Sequence, residues 1–187
     1  MGYFDTQEHI DQYIEMADGY DGKLLVEELK RYLAPGSSVL ELGMGPGKDL
    51  ILLAEDYRAT GSDNSSLFIE RFISSHPDAD VIALDAVSLD TERTFDCIYS
   101  NKVLHHLSHK DIESSFRRQG ELLDPKGLVI HSFWYGTEIE NYEDLMFYQV
   151  TEDILGPMLE ESFEVIKMQR YTELEENDSL LVILRLR

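Results

Sequence analysis

The chain has 187 residues, 43% of them hydrophobic, which favours one globular domain with a substantial core. Its formal net charge of −21 opposes binding to nucleic acids, whose phosphates are held by Lys and Arg. No apolar run reaches the roughly 18 residues that a membrane-spanning helix needs, and residues 1–11 lack the basic start of a signal peptide. We therefore expect a cytoplasmic protein without nucleic-acid or membrane partners, acting as a monomer or homodimer.

The first 33 residues have the periodicity of helices. Ile10, Tyr13 and Ile14 recur at helical intervals, and a second helix is predicted over residues 23–33. The segment Ala34-Pro35-Gly36-Ser37 ends that helix. We interpret residues 1–33 as an N-terminal helical lid.

Short apolar segments then alternate with amphipathic ones. Strands are predicted at residues 39–42, 59–62, 81–84, 97–100 and 128–133, with helices at 48–57, 65–74 and from residue 108. This alternation predicts an α/β fold with a mainly parallel sheet covered on both faces. After a helix near residues 151–161, the segments 163–171 and 180–186 predict an antiparallel hairpin.

The lone cysteine is Cys97, in the fourth predicted strand. One cysteine cannot form an intrachain disulfide, which agrees with a reducing compartment. Its apolar neighbours Ile98 and Tyr99 indicate a small buried hydrophobic residue.

A glycine turn follows the first predicted strand, with Gly43, Gly45 and Gly47 at alternate positions. Glycine lets the backbone approach a ligand closely, and the helix that follows presents free N–H groups. Ligands of open α/β sheets bind at the carboxyl ends of the strands. The turn therefore predicts a ligand site, although a plain strand-to-helix turn is the alternative.

The spacing of this turn fits two well-known phosphate loops poorly. A Walker A loop requires Ser or Thr after Gly47-Lys48, where this chain has Asp49, and Leu42 stands where its first glycine belongs. A dinucleotide fingerprint requires a glycine where Lys48 stands. A nicotinamide-dependent oxidoreductase is therefore disfavoured.

Two acidic residues follow later strands. Asp63 ends the second strand, where a carboxylate can accept two hydrogen bonds from a ribose diol or cap the next helix. Asp85 follows the third strand, where it can accept the exocyclic amine of adenine or remain an exposed loop acid.

Together, residues 41–47, Asp63, Asp85-Ala86 and 95–107 resemble the class I S-adenosylmethionine-dependent methyltransferases, most closely the small type 11/12 members. The resemblance covers about residues 33–133. It implies a Rossmann-like three-layer sandwich with a seven-stranded, mainly parallel sheet and an antiparallel C-terminal hairpin strand, all in one domain of residues 1–187. It also implies methyl transfer from S-adenosylmethionine to a small-molecule acceptor by in-line displacement, with S-adenosylhomocysteine as the product.

The resemblance further implies which residues hold the cofactor. Those assigned are Gly43, Gly45 and Gly47 at the methionine part, Glu41 as a support of that loop from the strand end, Asp63 at the ribose, Asn64, Asp85 and Ala86 at the adenine, Ser100 and Asn101 at the sulfonium and the carboxylate tail, and Tyr13 or Tyr20 as a cover.

The sulfonium is already an activated methyl donor, so alignment and exclusion of water matter most. A general base is needed only where the acceptor must lose a proton, and His105, His106 and His131 are the candidates. The spacing of His105, His106, His109 and Asp111 does not match a zinc site, and we expect no metal.

Residues 134–161 are expected to cover the acceptor. Their aromatic side chains can hold a flat or cationic molecule, or can form core under a lid: Trp134, Tyr135, Tyr142, Phe147 and Tyr148. The segment Ser100-Asn101-Lys102-Val103 stands where amino-methylating DNA enzymes carry an Asn/Asp-Pro-Pro-aromatic motif, which argues against a nucleobase substrate. A non-catalytic S-adenosylmethionine-binding or regulatory domain and a protein methyltransferase remain alternatives.

Overall fold

The computed structural model describes residues 3–16, 19–142 and 145–187, apart from the side chain of Asp5. The α-helices of these ranges are α1 Gln7–Met16, α2 Lys23–Leu29, α3 Lys48–Ala54, α4 Ser66–Ser75, α5 His109–Leu122 and α6 Glu152–Leu159. Short 3₁₀ turns cover Tyr3–Asp5 and Leu104–His106. Within the described ranges, no helix combines the length and the apolar character that crossing a bilayer requires.

The strands form a large sheet and a separate hairpin. In chain order they are β1 Ser38–Leu42, β2 Arg58–Asp63, β3 Val81–Ala83, β4 Phe95–Asn101, β5 Leu123–Trp134, β6 Ile139–Tyr142, β7 Leu145–Tyr148, β8 Phe163–Tyr171 and β9 Ser179–Leu186. The large sheet has seven strands in the order β3-β2-β1-β4-β5-β9-β8. Its first five strands pair in parallel, whereas β9 pairs antiparallel with both β5 and β8. The predicted mainly parallel sheet with an antiparallel C-terminal hairpin is confirmed.

The sheet is the middle of three layers because its central strands bury side chains on both faces. On one face, Leu40 of β1 and Ile98 of β4 pack in a cluster with side chains of α5 and α6. On the other face, Val39 and Cys97 pack with side chains of α2 and α3. Burial raises the pKa of the Cys97 thiol, so this residue is the buried apolar side chain that the sequence predicts.

The strand order reverses direction at β1, which pairs with β2 on one side and with β4 on the other. The connections that leave these strands turn away from each other, and they leave a crevice at the carboxyl ends of β1 and β4. The glycine turn follows β1, so it lies at this crevice.

The structure departs from the sequence prediction between residues 134 and 151. Here β6 and β7 form a two-stranded antiparallel hairpin that the sequence analysis did not predict. The hairpin contacts the 3₁₀ turn after β4, where the His106 ring bonds to the Met146 carbonyl at 2.9 Å. Every side chain of β6 is exposed, so the strand lacks the alternation that identifies a half-buried strand.

Candidate cofactor and acceptor site

A cavity of about 400 Å³, called the central cavity below, lies at the carboxyl ends of β1 and β4. Its lining includes residues from the N-terminal region, the glycine turn, the end of β4 and the hairpin: Tyr13, Met16, Tyr20, Glu41, Gly43, Met44, Gly45, Pro46, Asp49, Asn101, Lys102, His105, His106, Trp134, Leu145, Phe147 and Leu174 among others. Segments far apart in the sequence therefore meet at the switch in strand order.

The three glycines of the turn serve different purposes, although all have a positive φ. A Cβ at Gly43 would lie 2.4 Å from Val103, and one at Gly47 would lie 2.2 Å from Phe72. At Gly45 the nearest atom would be Tyr13 Cε1 at 3.7 Å. Packing therefore requires glycine at positions 43 and 47, whereas Gly45 offers its backbone to the central cavity.

Carboxyl groups gather beside this turn. Asp49 accepts hydrogen bonds from the Gly22 N–H at 2.7 Å, the Tyr99 hydroxyl at 2.6 Å and the Asn101 amide at 3.1 Å. Glu41 is buried, and its Oε2 has no hydrogen-bond partner among the described residues. Burial, then Asp49 and Asp63, raise the pKa of Glu41 well above its usual range. The Glu41 carboxyl therefore favours its protonated form, and a cation placed beside its unpartnered oxygen would favour ionisation.

Asp63 lies at the end of β2, as the sequence predicts, but its carboxylate points into the glycine turn. It accepts the Gly45 N–H at 2.8 Å and the Ser65 N–H at 2.9 Å. Burial raises its pKa, and these backbone donors act against that shift. Each oxygen keeps a further acceptor position. Asp63 thereby joins the turn to β2 and does not line the central cavity.

Residues 3–16, called the N-terminal segment below, lie over the space between the ends of β2 and β4. The Phe4 ring packs against Tyr13 and Phe68, with centroids 5.3 and 5.6 Å away, and lies 6.5 Å from His106. The Ser65 hydroxyl donates to the Phe4 carbonyl at 2.8 Å. The segment therefore covers the region next to Asp63 with aromatic rings.

The three residues assigned to the adenine lie outside the central cavity. Asn64 and Asp85 are exposed. The Asp85 carboxylate accepts two N–H groups of its own turn, from Val87 at 3.0 Å and Ser88 at 2.9 Å. The Ala86 carbonyl accepts the Ser115 hydroxyl at 2.6 Å.

The two histidines after β4 are joined by hydrogen bonds, and these bonds determine which ring nitrogens carry a hydrogen. His106 Nδ1 lies 2.9 Å from the Met146 carbonyl, and the Nε2 atoms of His105 and His106 lie 3.1 Å apart. A carbonyl only accepts, so the Nδ1 of His106 carries a hydrogen and its Nε2 accepts from the Nε2–H of His105. The Nδ1 of His105 then keeps a lone pair, and this buried atom has no hydrogen-bond partner in the part of the chain that the structure describes. Burial lowers the pKa of both imidazoles, so both are neutral near pH 7.

His131 does not fit the role of catalytic base. Its Nδ1 lies 2.8 Å from the Ser100 hydroxyl, and its Nε2 lies 2.8 Å from Gln119 Oε1. Burial lowers its pKa to about 3. Both nitrogens are engaged and both His131 and Ser100 are fully buried, so neither reaches an acceptor. Ser100 and His131 are thus not brought together with the other predicted site residues, since neither lines the central cavity.

Lys102 is a residue of the site that the sequence analysis missed. Its Nζ donates to the Phe133 carbonyl at 3.0 Å and the Ser179 hydroxyl at 2.7 Å, and pairs with Glu173 at 3.2 Å. The same atom lies 3.4 Å from the centre of the Trp134 ring. Burial lowers the pKa of Lys102 to about 8. The partners come from β5, β9 and the link before β9, so no local motif marks this lysine.

Asp49 was also missed, although a signal was present. An acidic residue in the first turn of a helix, directly after a glycine turn, faces the positive end of that helix. Asp49 occupies this position in α3 and is buried, which is unusual for a carboxylate that has no basic partner among the described residues.

A second cavity of about 860 Å³, called the outer groove below, adjoins the central cavity. Both are lined by Tyr13, Met16, Trp134, Leu145, Phe147 and Leu174. Tyr135 and Tyr142 also line the outer groove, whereas Tyr148 packs against His109. Four of the five aromatic residues noted in the sequence therefore meet around one space. Among the described residues, no three His, Cys, Asp or Glu side chains are placed to hold a metal ion.

Comparison with known proteins gives a match to part of the chain and a common fold. Residues 39–127, a little under half of the chain, match the family model described as "Methyltransferase domain". A search of curated proteins finds no significant match.

Solved structures share the fold over nearly the whole chain. An S-adenosylmethionine-dependent methyltransferase from Clostridium acetobutylicum ATCC 824 has a TM-score of 0.77 at 13% identity, covering 94% of this chain and 98% of that one. The Burkholderia thailandensis 1,6-didemethyltoxoflavin-N1-methyltransferase, crystallised with 1,6-didemethyltoxoflavin and S-adenosylhomocysteine, has a TM-score of 0.78 at 20% identity, covering 94% and 82%.

The N-methyltransferase NodS from Bradyrhizobium japonicum WM9, in complex with S-adenosylhomocysteine, has a TM-score of 0.73 at 17% identity, covering 97% and 98%. At these identities the likeness shows a common fold. The matched domain and the shared fold agree with the resemblance to class I S-adenosylmethionine-dependent methyltransferases that the sequence carries.

Proposed function

We propose that this chain is an S-adenosylmethionine-dependent methyltransferase that acts on a small-molecule acceptor, by in-line displacement at the boundary between the central cavity and the outer groove. The observation that carries the proposal is the common wall of the two spaces, which share six side chains. A donor at the glycine turn and an acceptor in the groove would then lie side by side. Such alignment supplies much of the rate of a displacement reaction.

The residues around the central cavity fit the methionine part of S-adenosylmethionine. When bound, this cofactor supplies a methyl group on a positively charged sulfur. Gly45 leaves room for close approach to its backbone, and the unpartnered Oε2 of Glu41 suits an ammonium group. Asp49 and Asn101 would fix the remaining polar atoms, and Tyr13 and Tyr20 would cover them.

The adenosine part would lie beyond Asp63, in the region that the N-terminal segment covers. Asp63 would bind the ribose through its remaining acceptor positions, with Asn64, Asp85 and Ala86 near the base. Ser100 would contribute only through the strand that positions Asn101. This arrangement requires the N-terminal segment to move when the cofactor enters.

A small acceptor is supported by the size of the outer groove and by the aromatic side chains of its lining. The Burkholderia thailandensis protein, which has the same fold, is crystallised with a small heterocyclic compound. The net charge of −21 supports an acceptor other than nucleic acid. A cytoplasmic monomer or homodimer without a membrane partner is part of the same proposal.

The cofactor site can be tested by calorimetric titration with S-adenosylhomocysteine and, separately, with NAD. We expect binding of the first and none of the second. Asp63→Asn should weaken S-adenosylhomocysteine binding by about tenfold or more, because hydrogen bonds to a charged group contribute about 1.5–3 kcal/mol. The exposed Asp90→Asn is a matched control and should bind normally.

Binding of NAD, or an unchanged affinity in Asp63→Asn, would contradict the assignment of this site. Assays of radiolabelled methyl transfer to a panel of metabolites and to protein then separate the alternatives. Transfer to no acceptor would favour a binding or regulatory domain, and transfer to protein alone would favour a protein methyltransferase.

A further inference from the structure

We propose that the acceptor is a protonated amine whose proton is removed by His105 before its nitrogen is methylated. This inference rests on the proposed function and names the class of acceptor. Three features of the outer groove and its boundary with the central cavity support it: the charge of the lining, its aromatic rings, and the unpartnered nitrogen of His105.

The first feature is the charge of the lining, because all charged side chains of its described part are acidic. Glu140, Glu175, Glu176 and Asp178 line the outer groove, and its described lining contains no Lys, Arg or His. The Asp178 carboxylate accepts the backbone N–H groups of residues 173, 174 and 175, which help hold its pKa near 2, so it is an anion at neutral pH. The three glutamates form no ion pair with the described residues. A cationic acceptor is therefore attracted, and a carboxylate is repelled.

The second feature is the aromatic wall formed by Trp134, Tyr142 and Phe147. Aromatic rings attract ammonium groups through their negative faces, and indole does so most strongly. The Trp134 ring already carries one such contact, from the Lys102 ammonium at 3.4 Å. The Lys102 ammonium is paired with the Glu173 carboxylate and donates to Ser179 and the Phe133 carbonyl. Because its charge is paired, Lys102 repels a second cation less than an unpaired lysine would.

The third feature is the lone pair on His105 Nδ1. His105 lines the central cavity and stacks on Phe147, 5.3 Å between ring centroids, and Phe147 lines both spaces. An ammonium has no lone pair, so it cannot attack a methyl group until a base takes a proton. The titratable groups that act on His105 are His106 and Lys102, and both disfavour its protonated form. Burial lowers the pKa of His105 more than these two groups do, so the imidazole is neutral near pH 7 and its Nδ1 lone pair is free to receive the proton of an acceptor held against it.

The reaction balances with these groups. An N–H bond of the acceptor breaks, and its proton forms a bond to His105 Nδ1. The freed electron pair forms the new N–C bond as the C–S bond breaks, and the sulfur leaves as a neutral thioether. His106 is a positioning residue, because its Nε2 accepts from His105 while its own Nδ1–H is fixed on the Met146 carbonyl.

Binding can be measured at the site itself because Trp134 is the single tryptophan of the chain. Its fluorescence is followed while phenethylamine, phenethyl alcohol or phenylacetate is added to protein saturated with S-adenosylhomocysteine. These probes share one ring and differ in their polar end. We expect the amine to bind about tenfold or more tighter than the alcohol, which corresponds to about 1.4 kcal/mol, and phenylacetate not to bind. Equal or tighter binding of the alcohol or phenylacetate would overturn the inference.

The glutamates give a matched test of charge. The double variant Glu175→Gln, Glu176→Gln keeps the shape of the lining. It should weaken phenethylamine binding severalfold and leave phenethyl alcohol binding unchanged. Equal losses for both probes would mean that the groove is damaged and would count against the inference.

The role of His105 is tested with His105→Gln, whose amide can still donate toward His106. Binding of S-adenosylhomocysteine and phenethylamine should change less than about twofold. Methylation of the best substrate in an amine panel should fall about a hundredfold at pH 7. The loss should shrink as the pH rises and free amine accumulates. A loss that is independent of pH would indicate a merely structural role.

The outcomes separate this inference from the proposed function. Failure to bind S-adenosylhomocysteine would overturn both. Binding of S-adenosylhomocysteine together with methylation of the matched alcohol, and not of the amine, would overturn the amine acceptor alone. Methylation of amines at an undiminished rate in His105→Gln would overturn the role of His105.

Discussion

The carboxyl group of Glu41 lies at the end of β1, 4% exposed, with one oxygen that has no partner. Its raised pKa means that the free protein holds a proton there over a range above the ordinary Glu pKa, where an exposed carboxyl has already lost it. A ligand ammonium beside this group would favour the ionised form. Binding should therefore release a proton, and affinity should rise with pH through that range.

This pH dependence can be measured by calorimetry of S-adenosylhomocysteine binding in buffers of different ionisation enthalpy. The wild-type protein should release up to one proton, and Glu41→Gln should release fewer, with a flatter pH profile. The prediction is wrong if the wild-type protein binds without proton release, or if Glu41→Gln releases as many protons as the wild-type protein.

The glycines of the turn allow folding and binding to be separated by single substitutions. Gly47 has a positive φ of 81°, and the Cβ that Gly47→Ala adds would clash with the Phe72 ring. The main effect of this substitution should therefore be a lower melting temperature. Gly45→Ala has a strained φ of 49° but no close contact, so it should cost less stability. It should nevertheless weaken S-adenosylhomocysteine binding more than its loss of stability explains. Thermal melts and calorimetry on both variants decide this, and equal effects on both properties would contradict it.

Among the elements, the N-terminal segment is the one that we expect to move when the cofactor binds. Phe4 packs on Tyr13 and Phe68 beside Asp63, where the proposed adenosine part would lie. Entry of the cofactor then requires these aromatic contacts to break. Phe4→Ala should therefore increase the association rate constant of S-adenosylhomocysteine, measured by stopped-flow Trp134 fluorescence.

The exposed residue Leu24 provides a control for this experiment, because Leu24→Ala removes a similar amount of apolar surface from α2. That variant should associate at the wild-type rate. If Phe4→Ala associates no faster than the wild-type protein, the segment does not restrict entry.

Elements with strong periodicity could be predicted from the sequence, and elements defined by their partners could not. The strands around Leu40, Ile98 and Val129 are rich in apolar residues, and each is present, although β5 begins at Leu123, five residues before its predicted start. Helix α2 ends at Leu29, before the predicted residue 33, because the chain enters turns there. The hairpin of β6 and β7 was missed because its hydrogen bonds to the turn after β4 depend on tertiary contacts.

At the scale of the whole molecule, the topology explains what the sequence could show of the site. Parallel strands place their carboxyl ends at one edge, so a glycine turn and acidic residues after successive strands predict one ligand site. Contacts across long sequence separations left no such signal. Lys102 and Ser179 are 77 residues apart, and Ser65 and Phe4 are 61 residues apart. The cover over the proposed adenosine region and the partners of Lys102 therefore could not be predicted from the sequence, because they depend on contacts that only the folded chain makes.

The position of β9 in the large sheet has a consequence for the order of assembly. This strand comes after β8 in the chain but lies between β5 and β8, and β9 is the only described strand that pairs with β8. The β8–β9 pair is local in sequence and can form early as a hairpin, whereas the docking of β9 on β5 spans about 50 residues and must close a long loop. The hairpin is thus expected to attach as a unit, late in folding. A lesion that frees β9 would release β8 with it and uncover two strand edges that invite association between chains.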